Sequence, residues 1–236
     1  MEAVDNEMWQ IRATAWELAA FSFRYPTREL AEAVASGEWL AAACEIAEAL
    51  GLALPEGFGE SVPSVESPLA DASVESFFHE LRAEATRLFV GPSEPACSPY
   101  EGVWRAKAEG VKPLLFVSTH AMEVERFVKS CGFTRPEGTN DPFDHVATEC
   151  ELLEALALRA AQACDGEPEG ADGDGTEAGE PENAEQSLRR NAAEAYGEFV
   201  EQHLKTWVAD FCTACEAETR QPFYRAAAAY LRALVG

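Results

Sequence analysis

The sequence predicts an all-α fold, a single multi-helix domain over residues 1–236, and three observations predict it. Apolar residues recur at three- and four-residue steps along most of the chain, no segment alternates as a half-buried strand does, and 47% of the 236 residues are hydrophobic, enough to bury a full core. The first helix is read over residues 8–23, where Trp16, Ala19, Ala20 and Phe23 form the buried stripe and Pro26 stops the run. Residues 38–50 follow, rich in Ala, Leu and Glu, which lose little entropy on becoming helical. Leu52 to Pro68 carries Pro55, Gly57, Gly59, Pro63 and Pro68 and reads as a loop. The clearest periodicity lies in residues 71–90, with Val74, Phe77, Phe78, Leu81, Ala85, Leu88 and Phe89 on one face.

The run from Phe89 to Trp104, FVGPSEPACSPYEGVW, is proline-rich and ends in aromatics, so it reads as a loop with little backbone entropy to lose on binding. Its Tyr100 and Trp104 offer apolar faces with a polar handle, although aromatics that cap the core satisfy the same pattern. Helix is expected again at 117–131. Asp141 then reads as an N-cap and Pro142 as the first helical residue of a helix running through 144–163, with Val146, Cys150, Leu153, Ala157 and Ala160 as its buried stripe. That places Asp144 in the first turn and His145 four residues before Glu149. One exposed edge then presents a carboxylate, an imidazole and a second carboxylate, a set of oxygen acceptors matched to guanidinium. Helix capping by Asp144 and a structural His145 are the plainer readings. Residues 165–185 hold nine carboxylates and no basic side chain, so they are expected to be disordered and dispensable for folding. Helices at 187–217 and 222–235 close the chain.

Charge narrows the function. Eighteen Lys and Arg against 42 Asp and Glu leave a formal charge of −24, which repels nucleic-acid phosphates and anionic membranes and favours Arg- or Lys-rich partners. No run of about 18 apolar residues and no basic leader at the N-terminus is present, so a cytoplasmic protein without membrane insertion is expected. Seven cysteines, an odd number scattered through apolar segments, fit reduced thiols. Cys212 and Cys215 form a C-x-x-C inside a helical pattern with no second ligand pair, and packing is its reading. Arg189 and Arg190, mid-pattern with no apolar run behind them, read as a solvated helix face. No phosphate loop, nucleophile elbow or H-E-x-x-H occurs, and the four histidines have no metal spacing, so no catalytic residue, cofactor or metal is assigned.

Several blocks together resemble the TorD/DmsD/NarJ-type chaperones that mature molybdenum oxidoreductases. RATAWELAAFSFRYPTREL is similar to that family's opening helix, and RLFVGPSEPACSPYEGVW to its L-F-x-G-P and P-Y-E-S-V loop. PFDHVATECELLEAL resembles its D-H block, and FVEQHLKTWVADFCTACEAETRQPFYRAAAAYLRAL its H-L-x-x-W and P-F-Y helices. Departures are Gly102 for the usual Ser, Cys97 and Ser98 for prolines, the Cys150 and Leu152-Leu153 end of the D-H block, and the acidic stretch at 165–185. The resemblance implies a non-catalytic helical chaperone that binds the twin-arginine leader peptide and apo form of a molybdenum oxidoreductase until its cofactor is inserted. Asp144, His145, Glu149 and Tyr100 carry over from the resemblance residue by residue, and the leader-binding set expected from the two motifs is Asp144 and Glu149 for guanidinium, Glu94 and Glu101 as weaker acceptors, Tyr100, Trp104 and Phe143 along the apolar part, and His145 on the peptide backbone. A helical adaptor or nitrate-reductase-type assembly factor acting on a folded enzyme is the alternative, and monomer and dimer fit equally well.

Overall fold

A computed structural model describes residues 2–91, 95–111, 118–134, 142–165 and 192–236. Among these residues the chain is helical, with no strand beyond isolated bridges. Helix α1 (Glu2–Phe23) lies along α7 (Val146–Asp165) and also touches α3 (Glu38–Leu50) and α10 (Pro222–Val235). The predicted stripes meet there: Trp16, Ala19, Ala20 and Phe23 from α1 and Val146, Cys150, Leu153, Ala157 and Ala160 from α7 are all buried. Tryptophan burial is accompanied by satisfied N–H groups, since Trp16 Nε1 donates to Tyr196 at 2.7 Å and Trp39 Nε1 to Ser22 at 2.9 Å.

Two helices lie where the sequence reads as a stop or a loop. Helix α2 (Arg28–Ser36) starts two residues after Pro26, capped by Thr27, whose side chain accepts from the Leu30 N–H. Gly37, at φ 84°, closes α2 and opens α3, and a Cβ there would fall 2.0 Å from the Ser64 carbonyl carbon. Only glycine permits both the left-handed turn and that approach. Helix α5 (Glu101–Ala108) occupies the end of the turn-rich run, so the loop expected to reach Trp104 stops at Tyr100.

Helix α4 (Asp71–Ala85) continues into a π turn, Thr86–Val90, closed by the Gly91 N–H donating to the Thr86 carbonyl at 2.8 Å. Helix α6 spans Thr119–Ser130. Helix α8 (Ala192–Phe199) passes through a second π turn, Val200–Leu204, into α9 (Lys205–Glu218). Helix α9 packs on α10 and α5 and carries the aromatic core residues Trp207 and Phe211. The expected disorder at 165–185, apart from Asp165, which ends α7, the expected cap Asp141, and the Arg189-Arg190 pair lie outside the described residues. No described helix is long and apolar enough to cross a membrane.

Candidate functional site

The two motif segments that the sequence singles out, residues 89–104 and 140–160, meet in space. Tyr100 and His145 form an antiparallel bridge, with the Glu101 N–H donating to the Asp144 carbonyl at 2.9 Å and the Val146 N–H to the Pro99 carbonyl at 2.8 Å. Their rings stand edge to face, centroids 5.3 Å apart. Tyr100, Phe143, His145 and Trp104 are half-buried around this junction. Trp104 is held by its own Nε1 bond to the Ser98 carbonyl at 2.7 Å, with Lys107 Nζ 4.7 Å from its ring centroid.

The helix start differs from expectation. Pro142 to His145 precede α7, which begins at Val146, and His145 caps it: Nδ1 accepts from the Ala147 N–H at 3.1 Å. A neutral His145 then carries its proton on Nε2. Asp144 caps a different helix, accepting the otherwise orphaned Gly102 N–H in the first turn of α5 at 3.2 Å. A Cβ on Gly102 would sit 2.7 Å from Ser118 Oγ and 3.1 Å from Asp144 Oδ2, so α5 approaches this closely because residue 102 lacks a side chain.

Exposure requires a further correction. Asp144 and Glu149 do not lie on an open edge; their relative exposures are 2% and 1%, and Glu101 is fully buried. Glu149 turns inward because its position on α7 is flanked by the buried Val146, Ala147, Cys150 and Leu153, where its Oε2 accepts from Trp207 Nε1 at 3.2 Å. Glu101 receives Arg105 at 2.7 Å and faces His203 Nδ1 at 3.1 Å through both oxygens. Among the described residues Asp144 Oδ1 and Glu149 Oε1 have no donor. Burial pushes the Asp144 carboxyl up to about 6, with the Glu101 charge adding to it and the Gly102 N–H opposing. Glu149 rises well above the ordinary carboxyl range, through burial first and then through the neighbouring Glu101. Three carboxyls thus share one buried centre. The predicted Glu94 lies outside the described residues.

Residues the sequence reading left unassigned complete the centre: Arg105, His203 and Trp207. His203 and Trp207 belong to the H-L-x-x-W block, which was the available signal, yet nothing local ties them to Glu101 or Glu149 some 60 to 100 positions earlier. Beside this centre opens a cleft of about 480 Å³ lined by Arg105, Glu123, Arg126, Phe127, Gln202 and His203. A larger groove of about 880 Å³ runs between the 51–62 segment and α10, lined by Leu52, Phe58, Val62, Ala226 and Ala229, so the segment read as a loop forms a cavity wall. Cys212 and Cys215 are buried free thiols raised by burial and their neighbours, and no described group of side chains has the makings of a metal site.

Comparison with known proteins gives a consistent picture. The family pattern described as nitrate reductase delta subunit matches residues 52–213. Chaperone protein TorD of Vibrio cholerae serotype O1 is similar to this chain in several strains: strains O395 and M66-2 at 26% identity over 149 residues, and strain N16961 at 25% over 150. Each match covers 63% of this chain and 56% of the relative, so the chain matches little more than half the length of those proteins. The Tyr100–His145 junction and its carboxyl centre lie inside the matched region, and the chain belongs to the nitrate reductase delta subunit family.

Proposed function

We propose that this protein is a non-catalytic maturation chaperone of a redox enzyme, and that it binds the twin-arginine leader peptide and apo form of a molybdenum oxidoreductase in the cytoplasm before export. The observation that carries the reading is the Tyr100–His145 bridge, which joins the proline-rich loop to the start of α7 and surrounds the joint with half-buried aromatic side chains. Tyr100, Phe143 and Trp104 receive the apolar part of the leader, and His145 meets its backbone. Asp144, Glu101 and Glu149 act from behind this surface. A buried carboxylate in a low dielectric draws a cation more strongly than an exposed one, at the cost of its own desolvation. Glu94, on the same proline-rich segment of the sequence, is proposed as a weaker acceptor. The relatives' name, Chaperone protein TorD, supports the chaperone class, and the net charge of −24 supports a cationic partner.

Calorimetric titration of the full chain with a leader peptide, two arginines followed by an apolar stretch, tests this. Tyr100→Ala with His145→Ala is expected to weaken binding at least about 10-fold while far-ultraviolet dichroism stays helical, a loss typical of two interface anchors. Affinity is also expected to fall as salt rises. Unchanged affinity in the folded double variant removes the junction from the site. The family description favours a second reading, an assembly factor that engages a folded nitrate-reductase-type enzyme. Binding to the assembled enzyme with no binding to the isolated peptide selects that one.

A further inference from the structure

We infer that Arg105 is a built-in stand-in for a client arginine, occupying in the free protein the seat that an incoming guanidinium takes over. This rests on the reading above that the client segment bears arginine. Glu101 is fully buried, and among the described residues its carboxylate is held by two groups: Arg105 Nη1 at 2.7 Å and His203 Nδ1 at 3.1 Å. Arg105 also reaches Glu123 at 3.4 Å, and its side chain is 22% exposed, so the guanidinium sits at the mouth of the 480 Å³ cleft between a buried acceptor and a surface one. It can swing outward by rotamer change alone, leaving Glu101 and Glu123 facing the cleft.

The surroundings suit a planar cation. Phe127, edge to face with His203 at 5.7 Å, supplies an aromatic wall, and Gln202 supplies a polar side chain. The opposing charge is Arg126, tied through Nε to the Met122 carbonyl at 3.2 Å, while His120 is engaged by Glu109 and Glu123 at 3.0 and 3.2 Å. With Arg105 displaced, two carboxylates face one fixed cation. Because Arg105 is tethered to the same helix as Glu101, a free cation competes against a millimolar-scale effective concentration. A peptide whose other residues grip the junction can win that exchange, so Arg105 screens out isolated cations and passes arginines that arrive with apolar neighbours.

The test uses the full chain carrying Arg105→Ala. Methylguanidinium at millimolar concentration is expected to raise the thermal midpoint of the variant by several degrees and leave wild type unmoved, with methylammonium inactive on both, because only the planar fork matches the seat. The twin-arginine peptide is expected to bind the variant about 10-fold tighter than wild type, as removal of a self-competitor requires. Absence of the methylguanidinium shift overturns the seat, whatever the peptide does. A shift accompanied by equal peptide affinity in wild type and variant overturns the client exchange. A shift with no peptide binding to either protein sinks the chaperone reading while the guanidinium seat stands. Arg105→Lys covers failure of the alanine variant to fold: it retains the charge and loses the fork, and is expected to bind the peptide more tightly than wild type.

Discussion

Two buried carboxylate networks, each beside a π turn, use the same kinds of residue to opposite ends. At the first, Glu84 takes a bidentate grip from Arg87 at 2.9 and 2.8 Å, a Thr219 hydroxyl at 3.3 Å and the Arg220 N–H at 2.6 Å. Those donors, Arg87 foremost, hold its carboxyl below the ordinary range despite burial. At the second, Asp144 and Glu149 each keep one oxygen without a donor among the described residues, and both carboxyls are pushed up. The first network is a saturated staple between α4 and the α9–α10 turn. The second is under-supplied with donors at a place that touches the surface, and such a deficit costs stability, a cost that a binding role would account for. π turns recur at functional sites because the extra residue re-aims side chains, and here they deliver Arg87 to one network and His203 to the other.

Breaking the saturated network is expected to have the largest effect. Glu84→Ala removes the bidentate partner of Arg87, which among the described residues keeps only Glu218, and leaves the Arg220 N–H unpaired, which should cost about 3 kcal/mol in urea unfolding at pH 7. Since the folded Glu84 carboxyl lies below 4.5, its contribution is complete above that pH and is lost as pH falls further. Asp144 runs the other way. Its ordinary value is 3.8 and its folded value about 6, so its contribution is most favourable below 3.8 and declines as pH rises to about 6, a loss of about 3 kcal/mol. Asp144→Asn keeps an acceptor for Gly102 and should flatten the stability profile between pH 4 and 6.

Gly102→Ala probes how closely α5 and Asp144 are set. A Cβ there meets the Ser118 hydroxyl at 2.7 Å and its Cβ at 2.9 Å, predicting a loss of about 1–2 kcal/mol that Ser118→Gly recovers in the double variant. The smallest effect is expected at Glu149→Gln. The amide keeps an acceptor for Trp207 Nε1 and removes a charge that burial and Glu101 disfavour, so unfolding free energy should change by less than about 1 kcal/mol, whereas Glu149→Ala should cost more by leaving Trp207 Nε1 unpaired.

Legibility followed sequence distance. The stripes on α1, α4 and α7 were readable because 3.6-residue periodicity is local, and Trp16, Leu81, Cys150 and Leu153 are buried as that pattern requires. Helices α2 and α5 were not, being short and placed directly after Pro26 and Pro99, where turn signals mask them. The family resemblance pointed to Tyr100 and the Asp144-His145 pair, which do adjoin. Their burial was invisible, because a carboxylate is assigned to the surface unless its partners are known, and Gly102, Trp207 and His203 come from distant segments. For the same reason Asp144 was placed at the head of α7, whereas it caps α5.

The most direct test measures unfolding free energy and leader-peptide affinity together on Asp144→Asn at pH 7. A carboxylate kept charged for its client and not for the fold predicts a variant more stable than wild type that binds the peptide more weakly. A variant that is less stable and binds with wild-type affinity would make Asp144 a structural cap and contradict the account.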